Sequence, residues 1–129
     1  FLADRFGHKL SLELGALASV LGFVLAWLAP SPGWMLLVFV LNGINVSALI
    51  VSGILVALEF ATAQRRPTYA GLANTTAGLA SIVAPLLGAW LASMGYDWVF
   101  ALSAAINLAA LLTLHAWVRE PRWAAAIKL

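Results

Sequence analysis

"TYAGLANTTAGLASIVAPLLGAWLAS", residues Thr68 to Ser93, contains no charged side chain. It exceeds the roughly 20 residues a helix needs to cross the hydrocarbon core of a bilayer. The period-two alternation of a barrel strand is absent. Within it, Gly71, Asn74, Gly78, Ser81, Pro85 and Gly88 recur at steps of three and four. On a helix that spacing gathers small and polar residues into one seam. Lipid supplies no hydrophobic drive for helix association, so such seams mark close approach of a neighbour. Pro85 removes a backbone hydrogen bond and is expected to bend the helix. The seam reads equally as static packing or as an interface between moving helices.

Working outward, the whole chain has this character. Of its 129 residues, 64% are hydrophobic and 9% are charged, whereas soluble domains carry about a quarter charged residues. Four apolar runs are expected to be helices, at about 11–29, 34–60, 68–93 and 98–118, with a tail at 119–129. "PSPG" (Pro30–Gly33) breaks the first run from the second. Pro67 suits the first turn of the third helix, where its missing N–H costs nothing. Asp97 is placed to cap the fourth. The expected fold is all-α and integral to the membrane, with four transmembrane helices. The first run is too long, and followed by too many others, to be a secretory signal. Because the chain starts at Phe1, it is expected to be a fragment or a processed chain.

Every lysine and arginine falls at one end of this arrangement. Four crossings put Arg5, Lys9, Arg65, Arg66, Arg119, Arg122 and Lys128 on one side. Positive charge marks the cytoplasmic face, so both termini are expected there, in a cell membrane. Trp27, Trp34, Trp90 and Trp98 lie near the outer ends, and Trp117 and Trp123 near the inner end, as an aromatic belt requires.

Asn42, Asn45 and Ser52 share one face of the second run. Polar side chains in lipid turn toward a partner helix or a watery cavity. Hydrogen bonding between helices and lining of a solute cavity are the two readings. Glu59, on the same stripe near Arg65 and Arg66, reads as a solvated charge. Glu13 follows Lys9 at helical spacing and forms a simple pair with it. Asn107 reads as a packing amide, and His115 as an interfacial residue. No charged residue lies in the middle of a span, so no carboxylate is placed for a proton relay. There is no cysteine and neither His8 nor His115 has a metal-ligand set at the right spacing. Phosphate loops are absent and the basic residues form no nucleic-acid stripe. The expectation is a membrane protein that is not an enzyme, with no cofactor, no metal, no nucleic acid, and the lipid bilayer as its surroundings.

"LADRFGHK" (Leu2–Lys9), just before a spanning helix, resembles the loop signature of the major facilitator superfamily: Gly-x-Leu-Ala-Asp-Arg-x-Gly-Arg followed by Lys or Arg. Leu2, Ala3, Asp4, Arg5, Gly7 and Lys9 match, and His8 replaces the usual arginine. The stretch Arg66–Phe100 looks like the eleventh helix and following loop of bacterial members, and "VREPR" (Val118–Arg122) resembles their exit from the last helix. The resemblance implies a twelve-helix fold of which this chain supplies helices nine to twelve. "APLLGA" (Ala84–Ala89) is similar to the fifth-helix signature of exporters, which keeps helices three to six as the other placement.

The resemblance further implies secondary active transport of a small solute by alternating access. Asp4, Arg5, Gly7 and Lys9 would form a cytoplasmic loop that latches one half of the transporter to the other. The second run would line the central cavity, the first and fourth would support it, and the third would pack between the halves. The missing N-terminal helices of the same transporter would be its partners. Two other readings are a complete four-helix small multidrug transporter, with Glu13 as its membrane glutamate, and a non-transporting membrane scaffold. The solute, its direction and any coupling ion are not legible.

Overall fold

In a computed structural model of the chain, residues 7–59 and 61–118 are described. Four helical passes result, at His8–Leu28, Pro32–Glu59, Ala63–Met94 and Tyr96–Trp117, each long and apolar enough to cross a membrane. All backbone hydrogen bonding within a span is local to it, which is what a helix offers in a solvent without donors or acceptors.

Helix α1 is His8–Leu28. It starts at Gly7, whose φ of 97° favours glycine, and stops before Pro30. The second pass starts with a short 3₁₀ turn, Pro32–Trp34, then runs as α2 (Met35–Ala48), a π-helical segment (Leu49–Gly53) and α3 (Ile54–Glu59). A π segment is a widened turn, often found inside longer helices at functional places. Helix α4 is Arg66–Met94, with Pro67 in its first turn. Pro85 lies inside α4 without ending it. Helix α5 is Tyr96–Trp117. Gly95, at φ 136°, joins the two, and its N–H donates to the carbonyls of Leu91 and Ala92 at 3.1 and 3.2 Å. Gly95 is thus the N-cap of α5, and Asp97 sits inside the first turn instead of capping it. There its carboxylate still complements the positive end of the helix dipole.

The passes run antiparallel. Helix α1 lies between α2 and α5 and packs along both, while α4 meets α3 and α5 over shorter stretches. Apart from His8 at the start of α1, the buried residues of these two passes are small or β-branched: Gly15, Ala18, Ser19, Gly22 and Ala26 on α1, with Val38, Ala48, Ser52 and Val56 on the second pass. Large apolar side chains such as Leu36, Phe39, Ile50, Leu86 and Trp117 point outward. Small residues inside and large apolar ones outside is the arrangement expected when helices associate in lipid by close contact.

Candidate functional site

One end of the bundle holds the start of α1, the end of α3, the start of α4 and the end of α5. Two polar clusters form there. In the first, His8 Nδ1 lies 3.2 Å from Ser52 Oγ, and the tautomer decides which donates. On the other side of the ring, His8 Nε2 lies 3.9 Å from Glu59 Oε1. His8 is 8% exposed and Ser52 fully buried. The cluster therefore ties the first turn of α1 to the π segment and to α3.

In the second cluster, Lys9 Nζ lies 3.5 Å from Glu13 Oε1. That pair, one helical turn apart, contributes about 0.2–0.5 kcal/mol. The same carboxylate oxygen lies 3.2 Å from His115 Nδ1, and Lys9 Nζ donates to the His115 carbonyl at 3.2 Å. This cluster ties α1 to the last turn of α5. A cavity of about 310 Å³ opens beside it, between α1 and α5. Leu10, Leu14, Leu17, Leu111 and Leu112 line it, and Glu13 and His115 bound its polar end.

Neither histidine contact was visible in the sequence. Helical spacing pairs Lys9 with Glu13. Glu59 is an exposed charge, as its place at the end of the second pass predicts, and stands 3.9 Å from the His8 ring, while His115, an interfacial residue by sequence, has Glu13 beside it. Each histidine meets a carboxylate of another helix. The only available hint was their shared position at the charged end. Among the described residues no group of three or more metal-binding side chains forms.

Asn42, Asn45 and Ser52 all lie toward α1. A Cβ added at Gly22 would stand 3.1 Å from Asn42 Nδ2, and one added at Gly15 would stand 3.4 Å from Asn45 Oδ1. Asn42 also donates to the Val38 carbonyl one turn back, at 3.1 Å. Both asparagines keep a partly exposed edge. Ser52 has no exposed surface and lines no open space in this structure. The reason is register: the π segment turns it onto His8.

On α4 the seam is present but unpartnered among the described residues. A Cβ at Gly71, Gly78 or Gly88 would meet nothing within 4 Å. Asn74, Ser81 and Pro85 are exposed and Gly88 is half-buried. The Ser81 hydroxyl donates to the Ala77 carbonyl at 2.9 Å, and Thr75 and Thr76 likewise bond back within the helix. Polar groups satisfied this way can sit in lipid or against another helix. Of the loop signature, Gly7 and Lys9 are described above, while Asp4 and Arg5 lie outside the described residues.

Comparison with known proteins agrees with this architecture. The Major Facilitator Superfamily pattern matches residues 1–127. Multidrug resistance protein 3 of Bacillus subtilis is 24% identical over 120 residues, covering 92% of this chain and 23% of that protein. An uncharacterised MFS-type transporter of Mycobacterium tuberculosis is 28% identical over 112 residues, covering 86% of this chain and 19% of that protein. The multidrug transporter protein MdtP of Bacillus subtilis is 23% identical over 112 residues, covering 86% and 21%. The chain thus spans about a fifth of the length of these relatives. No solved structure matches. The family match replaces the reading of a complete four-helix small multidrug transporter. With four spanning helices and a family pattern running through nearly all of its length, this multi-pass membrane chain belongs to the major facilitator superfamily.

Proposed function

We propose that the chain is one part of a permease that moves a small solute across the cell membrane by alternating access. The observation that carries this is the one-sided packing of the bundle. Helix α1 is in contact on two sides, while α4 presents its small-residue seam to open space. A segment of a larger helical assembly would look this way, because the seam has a geometry suited to close approach and no partner within these four passes. The partners would be the remaining helices of the same transporter, and the present helices would be nine to twelve of twelve. The names of two relatives make drug-like solutes the class to try first.

In this reading Asn42 and Asn45 offer their exposed edges to the solute path. Asp4, Arg5, Gly7 and Lys9 act as a latch at the cytoplasmic face, where the basic residues place the charged end. The test is uptake of ethidium by energised cells expressing the intact protein. Expression should lower accumulation, and collapsing the ion gradients should abolish the difference. Asp4→Asn should slow that export with little change in abundance, since acids contribute little to topology. Accumulation of ethidium and other lipophilic cations equal to that of empty-vector cells would count against drug-like solutes.

A further inference from the structure

The cavity between α1 and α5 has apolar walls and one polar end. Leu10, Leu14 and Leu17 form one wall, Leu111 and Leu112 the other, and Glu13 and His115 stand at the rim. Lys9 joins that rim through Glu13 and the His115 carbonyl. We infer that this groove binds a phospholipid whose headgroup carries both a phosphate and a primary ammonium. One acyl chain lies between the leucines, and the headgroup meets Lys9 and Glu13.

The groove has the right depth. Glu13 is five residues past His8, the start of α1, about 7.5 Å along the axis. His115 is two residues before the end of α5, where Trp117 is exposed. Headgroups give way to acyl chains at about this depth, and tryptophans gather at the same interface. From Glu13 and His115 the walls continue inward to Leu17 and Leu111, about 6 Å further. The groove thus runs along the helices from headgroup level into the hydrocarbon, as an acyl chain does.

The walls favour lipid over another helix. Helices that receive a helix in lipid present small residues. The α1 face toward α2, with Gly15 and Gly22, is of that kind, and so is the α4 seam. The groove is walled by leucines instead, and Leu10, Leu14, Leu17 and Leu112 are exposed. A flexible chain follows the uneven gaps between such side chains, and each gap filled regains dispersion contact.

Charge selects the headgroup. An ammonium has three protons to donate. Lys9 Nζ has two acceptors near it, Glu13 Oε1 at 3.5 Å and the His115 carbonyl at 3.2 Å. His115 Nδ1 lies 3.2 Å from the same Oε1. Among the described residues, Glu13 Oε2 has no hydrogen-bond partner and Lys9 keeps one proton to give. A cationic donor and an anionic acceptor therefore stand side by side at the rim. A purely anionic headgroup would meet repulsion from Glu13, and a lone cation repulsion from Lys9. A zwitterion with its phosphate on Lys9 and its ammonium on Glu13 satisfies both. A quaternary ammonium has no N–H for Oε2, so ethanolamine is favoured over choline.

The experiment reads lipid contact, so its outcome is separate from that of the transport assay. The intact protein is placed in phosphatidylcholine nanodiscs with a trace of phosphatidylethanolamine that carries a diazirine midway along one chain. After illumination, peptide mass spectrometry locates the label. It should fall on Leu14, Leu17, Leu111 and Leu112. Replacing part of the host lipid with unlabelled phosphatidylethanolamine should displace it, and phosphatidylglycerol should not. Glu13→Gln should lower the labelling about two- to fivefold, the scale of a partly exposed ion pair. Leu14→Trp, at an exposed position, fills the groove without touching the headgroup and should lower labelling of Leu17 and Leu111, which guards against a folding defect at Glu13. A groove covered by another helix of the same protein would leave these leucines unlabelled, and that result overturns the site. Equal displacement by phosphatidylglycerol, or labelling unchanged in Glu13→Gln, overturns the headgroup assignment.

Discussion

Helices α1 and α4 carry the same kind of seam and use it differently. On α1, Gly15, Ala18, Ser19, Gly22 and Ala26 are buried, and a Cβ at Gly15 would come within 2.6 Å of the Ala48 Cβ. On α4, Gly71, Gly78 and Gly88 face open space, and no residue in its most apolar window is buried, against 28% for α1. Small-residue spacing therefore says that a helix can approach another closely, not that it does so within the segment in hand. The third pass has the more conspicuous pattern in the sequence, yet the first pass makes the closest contacts. The difference lies in what the neighbours offer. Ala48, Asn42 and Val38 of the second pass present small or shape-matched surfaces to α1. Helix α4 meets α3 and α5 over shorter stretches than α1 meets its neighbours.

The most severe way to break the comparison is Gly15→Leu. Ala48 and the Asn45 backbone leave no room at that point, so α1 and α2 must part. Overpacking of this kind costs about 1–3 kcal/mol, and more where backbone has to move. The expected outcome is a large fall in thermal stability of the intact protein in detergent. A normal melting temperature would show that α1 and α2 are not in contact there.

Next in size comes α4. If its seam receives helices of the rest of the transporter, Gly78→Leu or Gly88→Leu in the intact protein should impair folding or transport, while Leu79→Phe, off the seam, should be milder. A Cβ at Gly78 or Gly88 meets nothing within 4 Å among the described residues. Equal tolerance at all three positions would place the seam against lipid. The contrast between α1 and α4 would then be one between packed and unpacked helices.

A smaller effect is expected at Ser52. Ser52→Ala removes the contact to His8 and leaves a buried ring nitrogen without that partner. Hydrogen bonds between membrane helices average about 0.6 kcal/mol, so a modest loss of stability should appear in the same melts. The smallest effect belongs to Gly43→Ala, on the outward face of α2, where nothing lies within 4 Å. Gain of helix propensity should stabilise by up to about 1 kcal/mol. A clear destabilisation there would show an unseen neighbour on that face.

How much of the candidate site was legible follows from what each feature depends on. The Lys9–Glu13 pair was readable because both residues ride one helix and the spacing alone brings them together. The turn glycine Gly7 was readable because loop geometry is local. His8 with Glu59, and His115 with Glu13, were not, since each contact depends on how two distant helices are rotated about their axes. Asn42, Asn45 and Ser52 share one face by their spacing, but the identity of the helix they meet, α1, was not in the pattern.

The sequence by itself determined the number of spans and their helical nature. In lipid, every backbone polar group must be satisfied, and long apolar runs leave only the helix as a solution. It also places Lys9, Arg65 and Arg66 at one end, through the parity of the crossings. The tertiary structure alone decided that α1 is the packed centre, that Ser52 is sealed by a π segment, that Gly95 and not Asp97 caps α5, and that two histidines find two carboxylates. Those outcomes rest on register and rotation between helices, where a shift of one residue turns a different face inward and leaves composition and hydropathy unchanged.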